Sequence, residues 1–222
     1  MSIDKSGTLH PLGDRKSWVI SSTLKKDEKP SKEEMLELWQ LQPPLKGKIM
    51  IMGKPVETPR FSQTYSNEGI GYKFSGVTHT ALPIPPLIQR YLDYANRVCH
   101  DQLVKDYGGL TFNMALVNWY PDGLHYIGYH SDDESQLVKN AKGETLVFSI
   151  SLGQTRKFLV KRKDKTRKEK TLSLPLNDGT VLLMGGLCQT NYKHSVPKTE
   201  VEDVKPRLNL TFRIFKAKKQ DK

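Results

Sequence analysis

The second half of the chain is built from short apolar or alternating segments that turn residues separate, without helical periodicity between them. The segments expected to form strands are residues 112–120, 146–152, 158–161, 171–174, 180–184 and 208–215. Turns are indicated by Asp122-Gly123, Gly153 and Asn177-Asp178-Gly179. Several short strands in succession are typical of an antiparallel double sheet. The sequence therefore predicts an α+β, mainly β fold with a double-stranded β-helix (jelly-roll) core at residues 111–216.

The first half of the chain predicts helices and hairpins ahead of that core. Ser31 and Glu34 have the spacing of a capping box at the start of one helix, and a second helix is predicted after Pro85. A chain of 222 residues fits a single domain. Within it we expect a weakly ordered basic arm at residues 1–30 and helices and hairpins at residues 31–110, the helices covering one face of the core.

The charge of the chain points to a polyanionic partner. The formal net charge is +11, and the isoelectric point is near 9.5. Nucleic acid is the first candidate partner and an anionic membrane surface the second, while a basic surface that merely keeps the protein soluble explains the charge equally well. Cys99 and Cys188 form no CxxC pair, which favours a reducing intracellular compartment. No apolar run of membrane-spanning length and no signal peptide is apparent, so we expect no membrane association.

One segment, residues 161–170, concentrates the positive charge. Its cations are Lys161, Arg162, Lys163, Lys165, Arg167, Lys168 and Lys170. Only Asp164 and Glu169 oppose them within the segment. Such cations repel one another, and nucleic-acid phosphates would relieve the repulsion. A solvated hairpin tip is the simpler alternative.

Three residues offer the ligands of a metal site. His130 and Asp132 lie two residues apart, so on a strand both side chains point to the same face. His194 follows a predicted strand and a Gly185-Gly186 turn, from which it can return to the same place. Two imidazoles and one carboxylate on one face of an octahedral metal are typical of non-heme Fe(II) oxygenases. The alternative is that these are ordinary hydrogen-bonded histidines near a carboxylate that occurs by chance.

The last predicted strand carries an unusual polar face. Arg207, Asn209, Thr211 and Arg213 alternate with apolar residues, so in an extended strand they share one side. Two guanidinium groups that flank an amide and a hydroxyl can hold a dicarboxylate, because arginine matches a carboxylate with paired donors. An amphipathic edge strand with its polar side in water is the alternative.

Together these motifs resemble the AlkB family of Fe(II)- and 2-oxoglutarate-dependent nucleic-acid dealkylases. The further runs that carry the resemblance are Gly53-Lys54, Pro59-Arg60, Gln63-Thr64-Tyr65, Tyr72-x-Phe74-Ser75-Gly76, Asn118-Trp119-Tyr120, Asp122-Gly123 and Ile127-Gly128. The chain looks most like the DNA-repairing branch of animal nuclei, over about residues 45 to 215. At the position where that branch has an aromatic finger that fills the gap of a flipped base, this sequence has Met52.

The resemblance implies a role for each motif. The implied iron ligands, and hence catalytic residues, are His130, Asp132 and His194. The residues implied to bind 2-oxoglutarate are Asn118, Tyr120, Arg207, Asn209, Thr211 and Arg213, with Arg207 at the far carboxylate and Arg213 at the near end. The residues implied to bind substrate are Met52, Gly53, Lys54, Arg60, Tyr72, Lys73, Phe74, Ser75, Asp133 and Glu134. The residues implied to grip the nucleic-acid backbone are Lys161, Arg162, Lys163, Lys165, Arg167 and Lys168.

Within the implied substrate site, each aromatic or acidic residue also has a simpler interpretation. Tyr72 and Phe74 would form part of the base pocket, but ordinary strand packing explains them without the resemblance. The His130 ring would stack on the flipped base. Asp133 and Glu134 would lie near the edge of that base, and a solvated acidic turn is the alternative for them.

The implied activity is oxidative demethylation of N-alkylated bases, of the 1-methyladenine and 3-methylcytosine type, in DNA and possibly RNA. It uses Fe(II), 2-oxoglutarate and O2, proceeds through a ferryl intermediate and releases aldehyde, succinate and CO2. The alternatives are a non-catalytic nucleic-acid reader and a 2-oxoglutarate dioxygenase that acts on another substrate. Single or double strands stay open as the form of the substrate. We expect an intracellular protein, nuclear in a eukaryotic host, and a monomer.

Overall fold

Strands dominate the computed structural model, which describes residues 7–67, 72–74, 77–79, 81–200 and 204–216. In these ranges the strands are β1 (Thr8–Pro11), β2 (Ser17–Thr23), β3 (Lys48–Ile51), β4 (Lys54–Glu57), β5 (Phe61–Tyr65), β6 (Tyr72–Phe74), β7 (Val77–His79), β8 (Met114–Tyr120), β9 (Ile127–His130), β10 (Val147–Gly153), β11 (Arg156–Arg162), β12 (Leu172–Leu176), β13 (Thr180–Gly186), β14 (Tyr192–Val196) and β15 (Arg207–Arg213). The helices are α1 (Lys32–Gln40), α2 (Pro86–Val98), α3 (His100–Tyr107) and α4 (Cys188–Asn191).

Two antiparallel sheets face each other across an apolar core. The larger sheet has the strand order β1-β2-β13-β10-β15-β8-β5, and the smaller has the order β12-β11-β14-β9. The core between them joins Val19, Val147 and Leu182 of the larger sheet to Phe158 and Val160 of the smaller. The neighbours of most strands are distant in sequence, as the jelly roll requires. The predicted α+β, mainly β fold is confirmed.

The helices pack on the opposite face of the larger sheet. Apolar residues recur along one side of α2, so that Ile88 and Tyr91 are buried against Val117, Phe148 and Phe212. The prediction that N-terminal helices cover one face of the core is confirmed. No helix in the described ranges is both long and apolar enough to cross a bilayer.

The first helix begins at the predicted capping box. The Ser31 hydroxyl accepts a hydrogen bond from the Glu34 N–H at 3.2 Å, and the Glu34 carboxylate accepts one from the Ser31 N–H at 2.9 Å. These bonds satisfy two backbone groups at the helix end. The Trp119 indole N–H donates to the Leu38 carbonyl at 3.0 Å, so α1 is fixed onto the sheet.

The predicted weakly ordered arm at residues 1–30 is wrong from residue 7 onward. The β2 strand pairs with β13 inside the larger sheet, and its residues Val19 and Ile20 are buried. Trp18 packs directly on Gly185, where a Cβ atom would lie 2.0 Å from the Trp18 ring. This part of the chain is ordered because its few apolar residues complete the sheet. The jelly roll therefore also draws β1, β2 and β5 from before residue 111, the predicted start of the core.

Candidate active site

The three predicted metal ligands converge at one end of the smaller sheet. His130 is the last residue of β9 and lies directly across from His194 on β14, while Asp132 follows two residues later. His130 Nε2 is 3.9 Å from Asp132 Oδ1, and His194 Nε2 is 3.8 Å from Asp132 Oδ2. All three ligand atoms lie within 4.8 Å of one another, so a single ion can contact them all. The Gly185-Gly186 pair, predicted to be a turn, is instead the end of β13, and the short helix α4 leads from there to β14.

Both imidazoles are held in the form that binds a metal. Burial lowers the pKa of His130 to about 3 and also lowers the pKa of His194, so both rings are neutral near pH 7. His130 Nδ1 lies 2.9 Å from the Gly128 carbonyl, which can only accept a hydrogen bond. The proton is therefore assigned to Nδ1, and Nε2 offers its lone pair to the metal position.

The third ligand, Asp132, is a buried carboxylate that stays ionised. Burial by itself would raise the pKa of Asp132, but the Arg213 guanidinium holds this pKa below its usual value. Arg213 Nη2 donates a hydrogen bond to Asp132 Oδ1 at 2.6 Å. The ionised form is the one that a divalent cation requires.

The polar face of β15 lines a cavity that continues from these ligands. Arg207, Asn209, Thr211 and Arg213 share its wall with the metal ligands. The opposite face of β15, with Leu208, Leu210 and Phe212, packs under the helices. The alternative of an amphipathic edge strand is wrong, because β15 lies between β10 and β8 and is buried along its whole length.

At the far end of the cavity, Arg207 is buried, and only part of its guanidinium is hydrogen-bonded to described residues. Its Nη2 donates to the Ser151 hydroxyl at 2.9 Å, and its guanidinium lies 4.8 Å from the centre of the Tyr120 ring. Within the described part of the chain, its Nε and Nη1 have no hydrogen-bond partner. Buried donors of this kind are rare unless a ligand satisfies them, and a carboxylate is the natural partner of a guanidinium. The residues present therefore fit a dicarboxylic acid.

The side chains between the two arginines are partly bonded to one another. The Asn209 amide donates to the Ser149 hydroxyl and to the Ile150 carbonyl, both at 2.8 Å, and the Thr211 hydroxyl donates to Asn209 Oδ1 at 2.9 Å. Asn209 and Thr211 thus form a fixed wall of the cavity rather than a set of free donors.

Arg60 was predicted to bind substrate, and the structure places it inside the same cavity. Its Nε donates to Asn118 Oδ1 at 2.6 Å, and its side chain is buried. Because the amide oxygen of Asn118 accepts this bond, its NH2 group is the part left to donate to a ligand. Arg60 therefore adds to the positive charge of the cavity that contains Arg207 and Arg213.

The other substrate positions lie on two hairpins and in the segment that follows β9. Met52 is 98% exposed at the tip of the β3–β4 hairpin, where Met52 and Gly53 both have positive φ, and Lys54 is also exposed. The backbone of Tyr72, Lys73 and Phe74 forms β6, but their side chains lie outside what is described, and Ser75 lies outside the described residues altogether. Asp133 is exposed, and Glu134 is half-buried.

The cations of the basic segment repel one another less than the sequence suggested, because acidic side chains lie beside two of them. Arg162 pairs with Glu169 at 3.3 Å, and Lys163 Nζ lies 3.5 Å from the Asp133 carboxylate. Asp164 and Glu169 are the acids within the segment, and the fold adds Asp133 from outside it. Two of the six predicted backbone-gripping cations are thus turned toward the protein.

The remaining cations of the segment face outward. The exposed ones among the six are Lys161, Lys165, Arg167 and Lys168. Arg167 makes an exposed ion pair with Asp164 at 3.7 Å, and Lys161 Nζ lies 3.6 Å from the centre of the Tyr129 ring. In the ranges that the structure covers, Lys165 and Lys168 have no acidic partner within 4.0 Å, so their charge is available to a phosphate.

Several site residues were not predicted from the sequence. Ser149 and Ser151 alternate with apolar residues on β10 and hold Asn209 and Arg207, and this alternation was a usable signal. The buried Arg156 donates hydrogen bonds to carbonyls before β9 and after β14, including His125 at 2.9 Å and Pro197 at 2.6 Å. Gln189 contacts the backbone of Asp132. Nothing in the local sequence marks Arg156 or Gln189.

Comparisons with known proteins agree with this site. A family model described as the 2OG-Fe(II) oxygenase superfamily matches residues 19–213. DNA oxidative demethylase ALKBH2 of Mus musculus is 36% identical over 178 residues, which cover 78% of this chain and 69% of the mouse protein. DNA oxidative demethylase ALKBH2 of Homo sapiens is 34% identical over 171 residues, which cover 75% of this chain and 60% of the human protein. A solved structure of OsALKBH1 has the same fold, with a TM-score of 0.58 at 20% identity, over 88% of this chain and 97% of that one.

Proposed function

Because the chain belongs to the AlkB family within the 2OG-Fe(II) oxygenase superfamily, we propose that it oxidatively demethylates alkylated bases in DNA. The observation that carries this proposal is one cavity with the His130–Asp132–His194 cluster at one end and the unsatisfied donors of Arg207 at the other. The mouse and human relatives are named as DNA oxidative demethylases, which supports the same substrate.

The cofactors are Fe(II) and 2-oxoglutarate, with O2 as co-substrate. His130, Asp132 and His194 would hold the iron, and they leave open positions because they supply only three ligands. When bound, these groups supply the oxidation that releases an N-alkyl carbon as aldehyde, with succinate and CO2 as the other products.

The protein itself contributes orientation and charge. The free Nε and Nη1 donors of Arg207 would hold the far carboxylate of 2-oxoglutarate, assisted by the amide of Asn118 and by Tyr120. Arg213 keeps Asp132 ionised and places a positive charge at the near end of the acid. Apolar side chains in the cavity wall, including Phe158, would help to exclude water from the reacting groups.

The methylated base would reach the site by leaving its stack. Unstacking costs a few kcal/mol and is least costly for a damaged or unpaired base, which favours adducts such as 1-methyladenine and 3-methylcytosine. Met52 is exposed and apolar, so it can enter the gap that the flipped base leaves. The residues proposed to surround the base are Gly53, Lys54, Tyr72, Lys73, Phe74, Ser75, Asp133 and Glu134, together with the ring of His130.

The nucleic-acid backbone would be gripped by the outward cations of the basic segment. Lys165 and Lys168 have the charge most available to phosphates, and Lys161 and Arg167 are also exposed. Arg162 and Lys163 have intramolecular partners and would act by holding the segment in place.

We also propose where and in what form the protein acts. DNA as the substrate favours an intracellular site, which in a eukaryotic host is the nucleus. We propose that the chain acts as a monomer with one catalytic domain, which light scattering on the purified protein would test. RNA stays a second candidate nucleic acid, because the exposed cations contact phosphates that both polymers share.

The test is turnover of 2-oxoglutarate with defined oligonucleotides. The protein is assayed with matched methylated and unmethylated strands, as DNA and RNA, single and paired. We expect succinate and aldehyde in equal amounts with methylated DNA, and loss of both in Asp132→Ala. Binding of methylated strands without succinate would support a non-catalytic reader. Succinate formation that ignores the methyl group would support a dioxygenase for another substrate.

A further inference from the structure

A buried amide, Gln189, lies behind the metal ligands without lining the cavity. Its side chain is 2% exposed, and its Oε1 accepts a hydrogen bond from the backbone N–H of Asp132 at 2.9 Å. Its Nε2 lies 3.6 Å from the sulfur of Met184, a residue that does line the cavity. A buried amide without partners is costly, so these contacts fix the side chain in one orientation.

The position of Gln189 in the chain connects two ligand-bearing segments. Gln189 belongs to α4, the helix between β13 and the strand that carries His194. Ser131 makes a second connection, because its hydroxyl donates to the Tyr192 carbonyl at 2.8 Å. The segment that holds Asp132 is therefore joined at two points to the segment that leads to His194.

These connections matter because Asp132 lies beyond the end of its strand. The pairing of β9 with β14 ends at His130, so strand hydrogen bonds do not fix the backbone of Asp132. Arg213 contacts the Asp132 carboxylate strongly from one side, at 2.6 Å. An anchor on the Asp132 N–H is needed to hold the carboxylate where both imidazoles can share an ion with it.

We propose that Gln189 is a positioning residue for the metal site: through the N–H of Asp132 it sets the place of the carboxylate relative to His130 and His194. The proposal rests on the proposed function for its setting, since it concerns the metal site of the same reaction. Gln189 does not line the cavity, so its role is to hold Asp132 and not to contact substrate or cofactor.

Lys163 reinforces this arrangement from the basic segment. Its Nζ donates to the Gln189 carbonyl at 2.9 Å and lies 3.5 Å from the Asp133 carboxylate. Lys163 thus holds both the main chain of Gln189 and the residue next to Asp132. We therefore assign Lys163 this structural role in place of the predicted contact with the nucleic-acid backbone.

The experiment measures the affinity of the full chain for Mn(II), a redox-stable probe, without 2-oxoglutarate or oligonucleotide. Gln189→Met keeps the length of the side chain and removes the acceptor, whereas Gln189→Glu keeps an oxygen acceptor. Asn96→Leu is the matched control, because Asn96 Oδ1 accepts the Phe112 N–H at 2.8 Å far from the site. Loss of a group that orients a metal ligand typically weakens metal binding about 10- to 100-fold, and we expect Gln189→Met to fall in this range.

The conservative variant and the control should behave differently from Gln189→Met. Gln189→Glu should bind Mn(II) nearly as the wild type does, because the acceptor remains and its charge does not repel a cation. Asn96→Leu should lose stability without losing metal affinity. In turnover assays, Gln189→Met should need more Fe(II) for half-maximal rate while its KM for the oligonucleotide stays unchanged.

Three results would overturn the role of Gln189. The first is unchanged Mn(II) affinity in a folded Gln189→Met variant. The second is a Gln189→Glu variant that binds Mn(II) as weakly as Gln189→Met does. The third is an equal loss of Mn(II) affinity in Asn96→Leu. If Gln189→Met does not fold, Lys163→Met provides the measurement, and unchanged Mn(II) affinity there would also count against the proposal. Absence of demethylation by the wild type would contradict the proposed function alone, because the Mn(II) assay contains no substrate.

Discussion

At the scale of single residues, the site works because burial and charge fix the protonation of each group. The two histidines are neutral because burial lowers their pKa values, and Asp132 stays ionised because Arg213 opposes the effect of burial. Arg207 is buried with two unsatisfied nitrogen atoms among the described residues, which is a costly arrangement without a ligand. The cavity is therefore prepared for a cation at one end and a carboxylate at the other.

Arg207→Met should separate acid binding from metal binding. Removing one member of a buried charge pair costs about 2–5 kcal/mol, so we expect the affinity for 2-oxoglutarate to fall by that amount. Mn(II) affinity should stay unchanged, because Arg207 contacts none of the three ligands. Calorimetric titration of each ligand measures both effects. Arg97→Gln, an exposed arginine on α2, is the control. Normal affinity of Arg207→Met for 2-oxoglutarate would contradict the assignment.

Much of the site could be predicted at this scale, and its supports could not. His130 and Asp132 were predicted to share one face of a strand, and their side chains do converge although Asp132 lies two residues beyond the end of β9. The alternation on β15 places Arg207 and Arg213 on one face. Gln189 reaches Asp132 only because α4 folds back between two strands. A contact of that kind depends on tertiary structure and leaves no periodic signal.

At the scale of elements, strands were predictable where apolar runs were long. The runs that became β8, β10 and β13 are central in the larger sheet and mostly buried. The apolar residues of β8 and β13 are nearly continuous, whereas those of β10 alternate with Ser149 and Ser151. The β2 strand was missed because basic and polar residues surround its apolar part, and β14 was missed because its central residues, Lys193, His194 and Ser195, are polar. The capping box of α1 was found because its signal is local.

Gly185→Ala should test the unexpected place of β2 in the sheet. The added Cβ would lie 2.0 Å from the Trp18 ring, so this ring or the β2 strand that carries it must shift. Overpacking of this kind costs roughly 1–3 kcal/mol, and we expect the free energy of unfolding to fall by that amount in denaturant titrations. Gly128→Ala, where nothing lies within 4 Å of the new Cβ, should change stability far less. Equal stability of Gly185→Ala and the wild type would contradict this packing.

At the scale of the whole molecule, the positive charge is divided between structural and free cations. Arg162 and Lys163 make contacts within the protein, whereas Lys165 and Lys168 project from the same segment into solvent. The net charge of +11 therefore overstates the charge available to a partner. The placement of the charged side chains, and not only the net charge, determines where a polyanion can bind.

The double variant Lys165→Gln/Lys168→Gln should weaken binding of DNA and reduce its salt dependence. Each lost phosphate contact lowers the slope of log Kd against log salt by about 1, so we expect a reduction of about 2. Lys25→Gln/Lys26→Gln removes the same charge from exposed positions near β2 and should leave the slope nearly unchanged. Fluorescence anisotropy at several salt concentrations gives both slopes. Equal slopes for the two double variants would argue against the basic segment as the phosphate contact.

The most direct measurement is a crystal structure of the protein with Mn(II) and 2-oxoglutarate. We predict one ion bound by Nε2 of His130, Nε2 of His194 and a carboxylate oxygen of Asp132. We also predict that the far carboxylate of the acid is hydrogen-bonded to Nε and Nη1 of Arg207. An ion that lacks any of the three protein ligands, or an acid held away from Arg207, would contradict this prediction.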